Sequence, residues 1–356
     1  MKQGRTPEEM LGELKRQSSE KRDYIVPSQS MVMSGDGQEI IVEGKGSDAY
    51  DAHYGMTDLF HRQVGSTLKI PAPYYDLMRS QKPELLAENV NSWLSERDNN
   101  FMLRTMDYGS GRVARALLSE RYRRIDNLEI AAALLPPVMN EKGFEIVSSE
   151  ITPARMYIKL VCHLKTYEVL PGDFVEFGII ISNSEVGQGS VFVRPFLNRL
   201  ICTNGCVINE LGERKHHVGR AAKSVEDSFE IYSDSTIEAE DKVFLMKLLD
   251  VEKAALNESR YPLIVGKLKD AAHVKITGRV QEVVELTAKN YGFSQTEQEG
   301  ILDALIRGGD MSLYGLSNAV TRMSQDVESY DRATELESAG WDIATMPAGL
   351  WKTINA

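Results

Sequence analysis

Through the first two thirds of the chain, apolar and polar residues alternate in short runs; after that the pattern changes to a helical period. Met31-Val32-Met33 and Ile40-Ile41-Val42 flank Gly35-Asp36-Gly37, and Asp-Gly between apolar runs predicts a hairpin. Residues 55–94 read as short helices punctuated by Pro71 and Pro73. Pro83 suits the first turn of a helix carrying Leu85, Leu86, Val90, Trp93 and Leu94. Residues 101–105 and 112–117, joined through Tyr108-Gly109-Ser110-Gly111, predict a second hairpin. Asp126 and Glu129 have capping-box spacing for a helix through residues 131–135, which Pro136-Pro137 should disturb or end. Strand-like runs follow at 144–147, 156–162, 174–181 and 190–201. From about residue 225 the pattern is helical. Ser294 and Glu297 form a capping box ahead of Ile301, Leu302, Leu305 and Ile306, and Gly308-Gly309 stop that helix. Leu313, Leu316, Val320, Met323 and Val327 share the face of another. Residues 1–24 read as a loose charged arm.

Strands, one helix and more strands imply an α+β fold: a central antiparallel sheet with helices packed on one face, followed by a mostly helical C-terminal region. The expected parts are an N-terminal arm and hairpin (1–50), an α+β core with the binding face (51–224) and an acidic helical C-terminal region (225–356). Charge sharpens this division. The net charge is −11, but residues 1–100 balance at −4, 101–224 at +3 and 225–356 at −10. The central block is thus the only basic segment, which marks it as the working surface. The start of the chain lacks the apolar stretch of a secretory signal, and no apolar run is long enough to span a bilayer. Three cysteines are too few for a disulfide framework, so a reducing, cytoplasmic setting is expected.

Several motifs that would name a reaction are missing. There is no phosphate-cradling G-x-x-x-x-G-K-[ST] loop, no G-x-S-x-G elbow and no H-E-x-x-H helix. Gly44-Lys45-Gly46 and Gly187-Gln188-Gly189 lack the spacing of a dinucleotide fingerprint. No cofactor and no catalytic residue set is expected.

Three polar constellations remain. Arg121-Tyr122-Arg123-Arg124 on an extended segment would put Arg121 and Arg123 on one face and Tyr122 and Arg124 on the other. Guanidiniums suit phosphates and an aromatic ring suits a base, although pairing with Asp126 or Glu129 would serve the fold alone. Ser182-Asn183-Ser184-Glu185-Val186-Gly187 reads as a polar turn between strands, with a backbone anion nest as the functional alternative. The third constellation holds Arg194, Arg199, Cys202-Thr203-Asn204-Gly205-Cys206, then Arg214, Lys215, His216, His217, Arg220 and Lys223. Cys202 and Cys206 with His216 or His217 could make a zinc site. The preferred reading is a basic patch for a polyanion, with Cys202 a small buried residue at a strand end and Asn204-Gly205 a tight turn.

These residues resemble a phage- and plasmid-borne family known as domain of unknown function 932. The resemblance lies in residues 116–127 (Ala-Leu-Leu-Ser-Glu-Arg-Tyr-Arg-Arg-Ile-Asp-Asn), 181–187 (Ile-Ser-Asn-Ser-Glu-Val-Gly), 199–205 (Arg-Leu-Ile-Cys-Thr-Asn-Gly) and 217–220 (His-Val-Gly-Arg). Residues 70–93 and 314–321 look similar as well, so the resemblance spans most of the chain. It implies a protein of mobile DNA in a bacterial host and brings no catalytic residues. The family often has an apolar residue where Cys206 stands, which speaks against a zinc site needing both cysteines.

The function expected from residues and resemblance together is nucleic-acid binding without ATP, as in single-stranded DNA annealing during recombination or replication. The expected contacts are Arg121, Tyr122, Arg123, Arg124, Arg194, Arg199, Arg214, Lys215, His217 and Arg220. Ser182, Asn183, Glu185, Cys202, Asn204 and Gly205 are expected to shape the fold around them. The partner would be single-stranded DNA and a second copy of the chain, with no membrane. The rivals are a structural or host-interaction oligomer and a zinc-dependent enzyme.

Overall fold

The structure, a computed structural model, describes residues 1–44, 52–109, 111–122, 124–209 and 234–356, with the backbone alone for 234–241. Helix α1 (Pro7–Glu20) and strand β1 (Lys21–Pro27) replace the expected loose arm. The reason is local. Thr6 and Glu9 close a reciprocal capping box, Pro7 opens the helix, and Met10 and Leu14 bury one face. Strands β2 (Met31–Met33) and β3 (Glu39–Val42) form the first expected hairpin, continued by β4 (Ala52–Met56). Helices α2 (Asp58–Leu68), α3 (Ala72–Gln81) and α4 (Pro83–Glu96) follow, with Pro83 at the start of α4 as expected. Strands β5 (Asn100–Asp107) and β6 (Arg112–Ser119) make the second hairpin.

These strands join into a six-stranded sheet ordered β1-β5-β6-β4-β3-β2, parallel only between β4 and β6. It crosses residue 50, since β3 pairs with β4 and β1 with β5. Phe60, Val64, Tyr75, Leu86 and Val90 of α2 to α4 pack on it with Met33, Ile40 and Leu103. Helix α2 therefore spends its apolar face on the core, as α3 does through Tyr75 and Met78, while Tyr74 and Leu77 of α3 stay exposed.

Helix α5 (Asn127–Met139) continues to its end through Pro136 and Pro137 instead of stopping before them. Both prolines lie in the last turn. The carbonyls that lose a donor belong to Ala132 and Ala133, which are exposed and half-buried, so water can satisfy them. Strands β7 (Phe144–Ile151), β8 (Met156–Leu170), β9 (Asp173–Asn183), β10 (Phe192–Arg199) and β11 (Asn204–Val207) then form an antiparallel meander in chain order. The first half of β8 and nearly all of β9 are buried, polar residues included, because both faces are covered. Met156, Ile158, Leu160 and Cys162 meet α1 and α5, with Phe244 and Leu248 of α6 (Asp234–Ala255). Tyr157 and Val161, between them in sequence, face the opposite layer with Phe196, Val207 and Tyr330.

That opposite layer is the helical C-terminal region: α7 (Tyr261–His273), α8 (Val280–Tyr291), α9 (Gln295–Gly308), α10 (Leu313–Met323), α11 (Tyr330–Ala344) and α12 (Ala348–Ile354). The Ser294/Glu297 capping box starts α9, and Gly309 ends it in the left-handed conformation. Leu316, Val320, Leu336 and Trp341 lie in the centre of its core. The fold is α+β, an antiparallel sheet with helices followed by a mostly helical C-terminal region. Among the described residues, no helix is long and apolar enough to cross a membrane.

Candidate nucleic-acid interface

The six-stranded sheet and the meander meet at a buried charged cluster, and Glu185 is its centre. Glu185 is 3% exposed. One of its carboxylate oxygens accepts from Lys21 Nζ at 3.2 Å and from the Asn127 amide at 2.8 Å; the other accepts from Arg115 at 3.2 Å. Its carbonyl accepts from Arg104 at 2.7 Å. Arg104 also grips Asp23 at 2.9 and 3.0 Å and Asp126 at 2.9 Å, and Lys21 reaches Asp126 at 2.6 Å. Three cations thus face three carboxylates. Burial alone would raise the Asp126 carboxyl, but hydrogen bonds from Lys21 and Arg104 hold it below its ordinary range. The expected Asp126/Glu129 capping box does not form, because Asp126 is spent on this cluster. Glu185 instead receives the first amide of α5.

The motif around Glu185 is therefore a buried junction that ends in a turn. Ser182 and Asn183 finish β9; Asn183 donates to the Ile125 carbonyl and to Asn127, each at 2.9 Å. The turn begins at Glu185, and Gly187 takes φ +77° where a Cβ would lie 2.6 Å from Leu118.

Two of the three constellations gather around this turn. Residues 120–121 form a turn after β6, closed by Tyr122 N–H to the Ser119 carbonyl, so the expected extended segment is corrected. Arg121 and Arg124 are exposed and have no ion-pair partner among the described residues. The Tyr122 hydroxyl donates to the Ser184 carbonyl at 3.2 Å, and its half-buried ring lies against Gly187. Its assigned role as a free stacking platform is corrected on that ground. Arg123 lies outside the described residues.

On the other side of the turn stands Arg155, in the β7–β8 connection. Its guanidinium donates to Ser182 Oγ at 3.0 Å and to the carbonyls of Gln188 and Ser190. It sits 5.2 Å from the centre of the Phe192 ring, and Arg194 sits 4.4 Å from the same ring. Arg194 donates to Asn209 at 2.9 Å. Burial lowers the pKa of both arginines, and for Arg194 the neighbouring Arg155 charge adds to it. Neither has a carboxylate within ion-pair distance among the described residues. They line one wall of an open cleft of about 400 Å³, whose other wall is the Asp331, Thr334, Glu335, Ser338 and Asp342 face of α11.

The rest of the third constellation separates. Arg199 is removed from the expected contacts, since it makes a two-pronged pair with Asp173 at 2.8 and 2.7 Å over the Tyr314 ring. Cys202, expected to be buried, is exposed in the turn at residues 200–203, where Thr203 takes φ +50°. Asn204 and Gly205 are not a turn but the start of β11, because Asn204 is fixed by α10: it donates to the Asn318 carbonyl at 3.1 Å. Gly205 is required by contact, since a Cβ there would lie 2.6 Å from both Glu337 and Phe196. Arg214, Lys215, His216, His217, Arg220 and Lys223 lie outside the described residues. Among the described residues no group of three or more His, Cys, Asp or Glu could hold a metal.

Arg155 and Phe192 were missed by the sequence reading, and so was the α11 face. An arginine just after Thr152-Pro153-Ala154, at a connection between strands, was the available signal. Compared with known proteins, the chain matches no family model, no curated protein and no solved structure. The family resemblance therefore rests on the quoted residues alone.

Proposed function

We propose that the chain binds single-stranded DNA, without hydrolysing nucleotides, along a surface that runs from Arg121 and Arg124 across the Glu185–Ser190 turn to Arg155 and Arg194. The observation that carries this reading is a continuous series of guanidiniums without carboxylate partners among the described residues. Arg121 and Arg124 flank Tyr122, Tyr122 packs on Gly187, Arg155 holds the carbonyls of Gln188 and Ser190, and Arg155 and Arg194 share Phe192. Arginine without an internal anion is a ready hydrogen-bond donor to phosphate, and a guanidinium plane also offers a base a face to stack on. Asn209, which accepts from Arg194, is followed in sequence by the basic stretch of residues 214–223. The family resemblance supports a setting in mobile DNA of a bacterial host.

The overall charge of −11 sets the character of the binding. Long-range attraction is absent, so affinity comes from local contacts and weakens with salt. Four phosphate contacts imply a log–log salt slope of about −3 for a single strand. Titration of a labelled single-stranded oligonucleotide at several salt concentrations tests this. Arg155→Ala with Arg194→Ala should weaken binding and flatten the slope by about 1.4. No binding at low salt, or a slope untouched by both substitutions, overturns the proposal.

A further inference from the structure

The cleft beside Arg155 carries opposite charges on its two walls, with no direct ion pair between them among the described residues; Asn209 bridges them at one end, accepting from Arg194 at 2.9 Å and donating to Asp342 at 2.8 Å. Arg155, Phe192 and Arg194 stand on one side, and Asp331, Glu335 and Asp342 on the other. With three carboxylates lining the same cleft, neither arginine has one within ion-pair distance among the described residues. Asp331 is anchored to the sheet, accepting from the Tyr157 hydroxyl at 2.8 Å and from Thr152 at 3.1 Å, both at Oδ1. Its Oδ2 accepts no hydrogen bond among the described residues. Glu335 is exposed and spends Oε2 on Arg332, while its Oε1 accepts no hydrogen bond among the described residues. The space is about 400 Å³, within the range of small-molecule sites. A fitting occupant is anionic at one end and carries N–H donors at the other.

Resting on the single-strand reading above, we infer that this cleft holds one nucleotide and selects bases that carry an exocyclic amino group. The phosphate meets Arg155 and Arg194, the base lies against Phe192 and the guanidinium planes, and Asp331 and Glu335 accept from the amino group. Cytosine offers N4–H2 to such an acceptor, as adenine and guanine do with their own amino groups. Thymine presents O4 at the equivalent position, which two carboxylates repel. The acidic wall also explains how an arginine cleft avoids capturing any phosphate: an occupant must bring a donor as well as an anion.

The test compares labelled dC12 and dT12 at one salt concentration and at mildly alkaline pH, where cytosine is unprotonated. The two share ring size and backbone and differ at C4, at N3 and in the thymine 5-methyl group; dU12, which lacks the methyl, should bind like dT12 if the C4–N3 edge is what the cleft reads. The wild-type chain should bind dC12 about tenfold more tightly than dT12. Glu335→Gln and Asp331→Asn should bring the ratio toward one while dT12 binding holds or improves, because an amide can donate to O4. The Asp331→Asn side chain keeps an acceptor for Tyr157, and Glu335 is exposed, so at least the Glu335→Gln variant leaves the fold untouched. Equal binding of both oligomers by wild type, or an unchanged ratio in both variants, overturns this inference alone. Absence of binding to either oligomer overturns it together with the reading it rests on.

Discussion

Removing the carboxylate of Glu185 should be among the most damaging single changes in this chain. The Glu185→Ala substitution strips acceptors from Lys21, Arg115 and the Asn127 amide at one stroke. The surroundings offer little water to replace it, since Glu185 is 3%, Arg115 8% and Arg104 1% exposed. A buried pair broken from one side costs about 3–5 kcal/mol because the remaining charge is left without compensation. The orphaned amide adds about 1 kcal/mol. Set against this, the cluster sits at the seam between two sheets, where movement and water entry relieve part of the burden. A loss of about 4 kcal/mol is therefore expected, in urea unfolding followed by both circular dichroism and tryptophan fluorescence.

Charge counting separates this from a packing effect. Glu185→Gln keeps the shape and leaves three cations against two carboxylates, so it should cost about 2 kcal/mol. Adding Arg115→Met restores the balance, and the pair of changes should be less damaging than the sum of the two alone, by about 1 kcal/mol or more. The loss should change little between low and moderate salt, because the groups are buried. A cost below about 1 kcal/mol for Glu185→Ala, or strict additivity with Arg115→Met, would refute the claim that ionic compensation joins the sheets here.

Two further outcomes are expected. Glu252 is 2% exposed, and one of its carboxylate oxygens has no hydrogen-bond partner among the described residues; burial first and Glu141 second push its pKa from 4.5 up to about 7, against the smaller pull of Lys253. The folded chain therefore keeps a proton the unfolded chain has lost between these values, so this group's contribution is complete below pH 4.5 and is lost as pH rises through 7. Glu252→Gln should gain about 2–3 kcal/mol over wild type above pH 7 and nothing at pH 4, read from unfolding curves across pH. Gly205→Ala forces a methyl group against Glu337 and Phe196 and should cost about 1–3 kcal/mol in the same assay; an unchanged midpoint would show that β11 shifts freely.

What the sequence revealed of the fold was what neighbouring residues decide. Ser294 and Glu297 cap α9 because the partners are three positions apart, and Asp36-Gly37 turns a hairpin because the turn needs only its own residues. The same local rule failed at Asp126 and Glu129. Their spacing was right, but Asp126 was claimed by Arg104, 22 positions away, and by Lys21 of the neighbouring strand β1. Thr6 and Glu9 formed the capping box that was overlooked, at the start of a segment whose charge made it look unstructured. A charged residue gives no sign in sequence of whether it faces water or a partner. Lys159 sits in an apolar run and pairs at 2.6 Å with Glu337, 178 positions on, both completely buried.

The candidate surface was legible for the same reason only in part. Its constellations were conspicuous as runs, and runs suggest function whether they bind or merely build. Geometry divided them: Glu185 and Arg199 build, with carboxylate or cation partners in hand, whereas Arg121, Arg124 and Arg194 keep their charge unpaired among the described residues. Arg155 was inconspicuous because it stands alone in sequence. It acquires meaning only when β8, β10 and α11 converge, at separations no local pattern encodes. The arginine that matters most to the proposed interface is thus identified by what it lacks among the described residues, a carboxylate within ion-pair distance, although three of them line the same cleft.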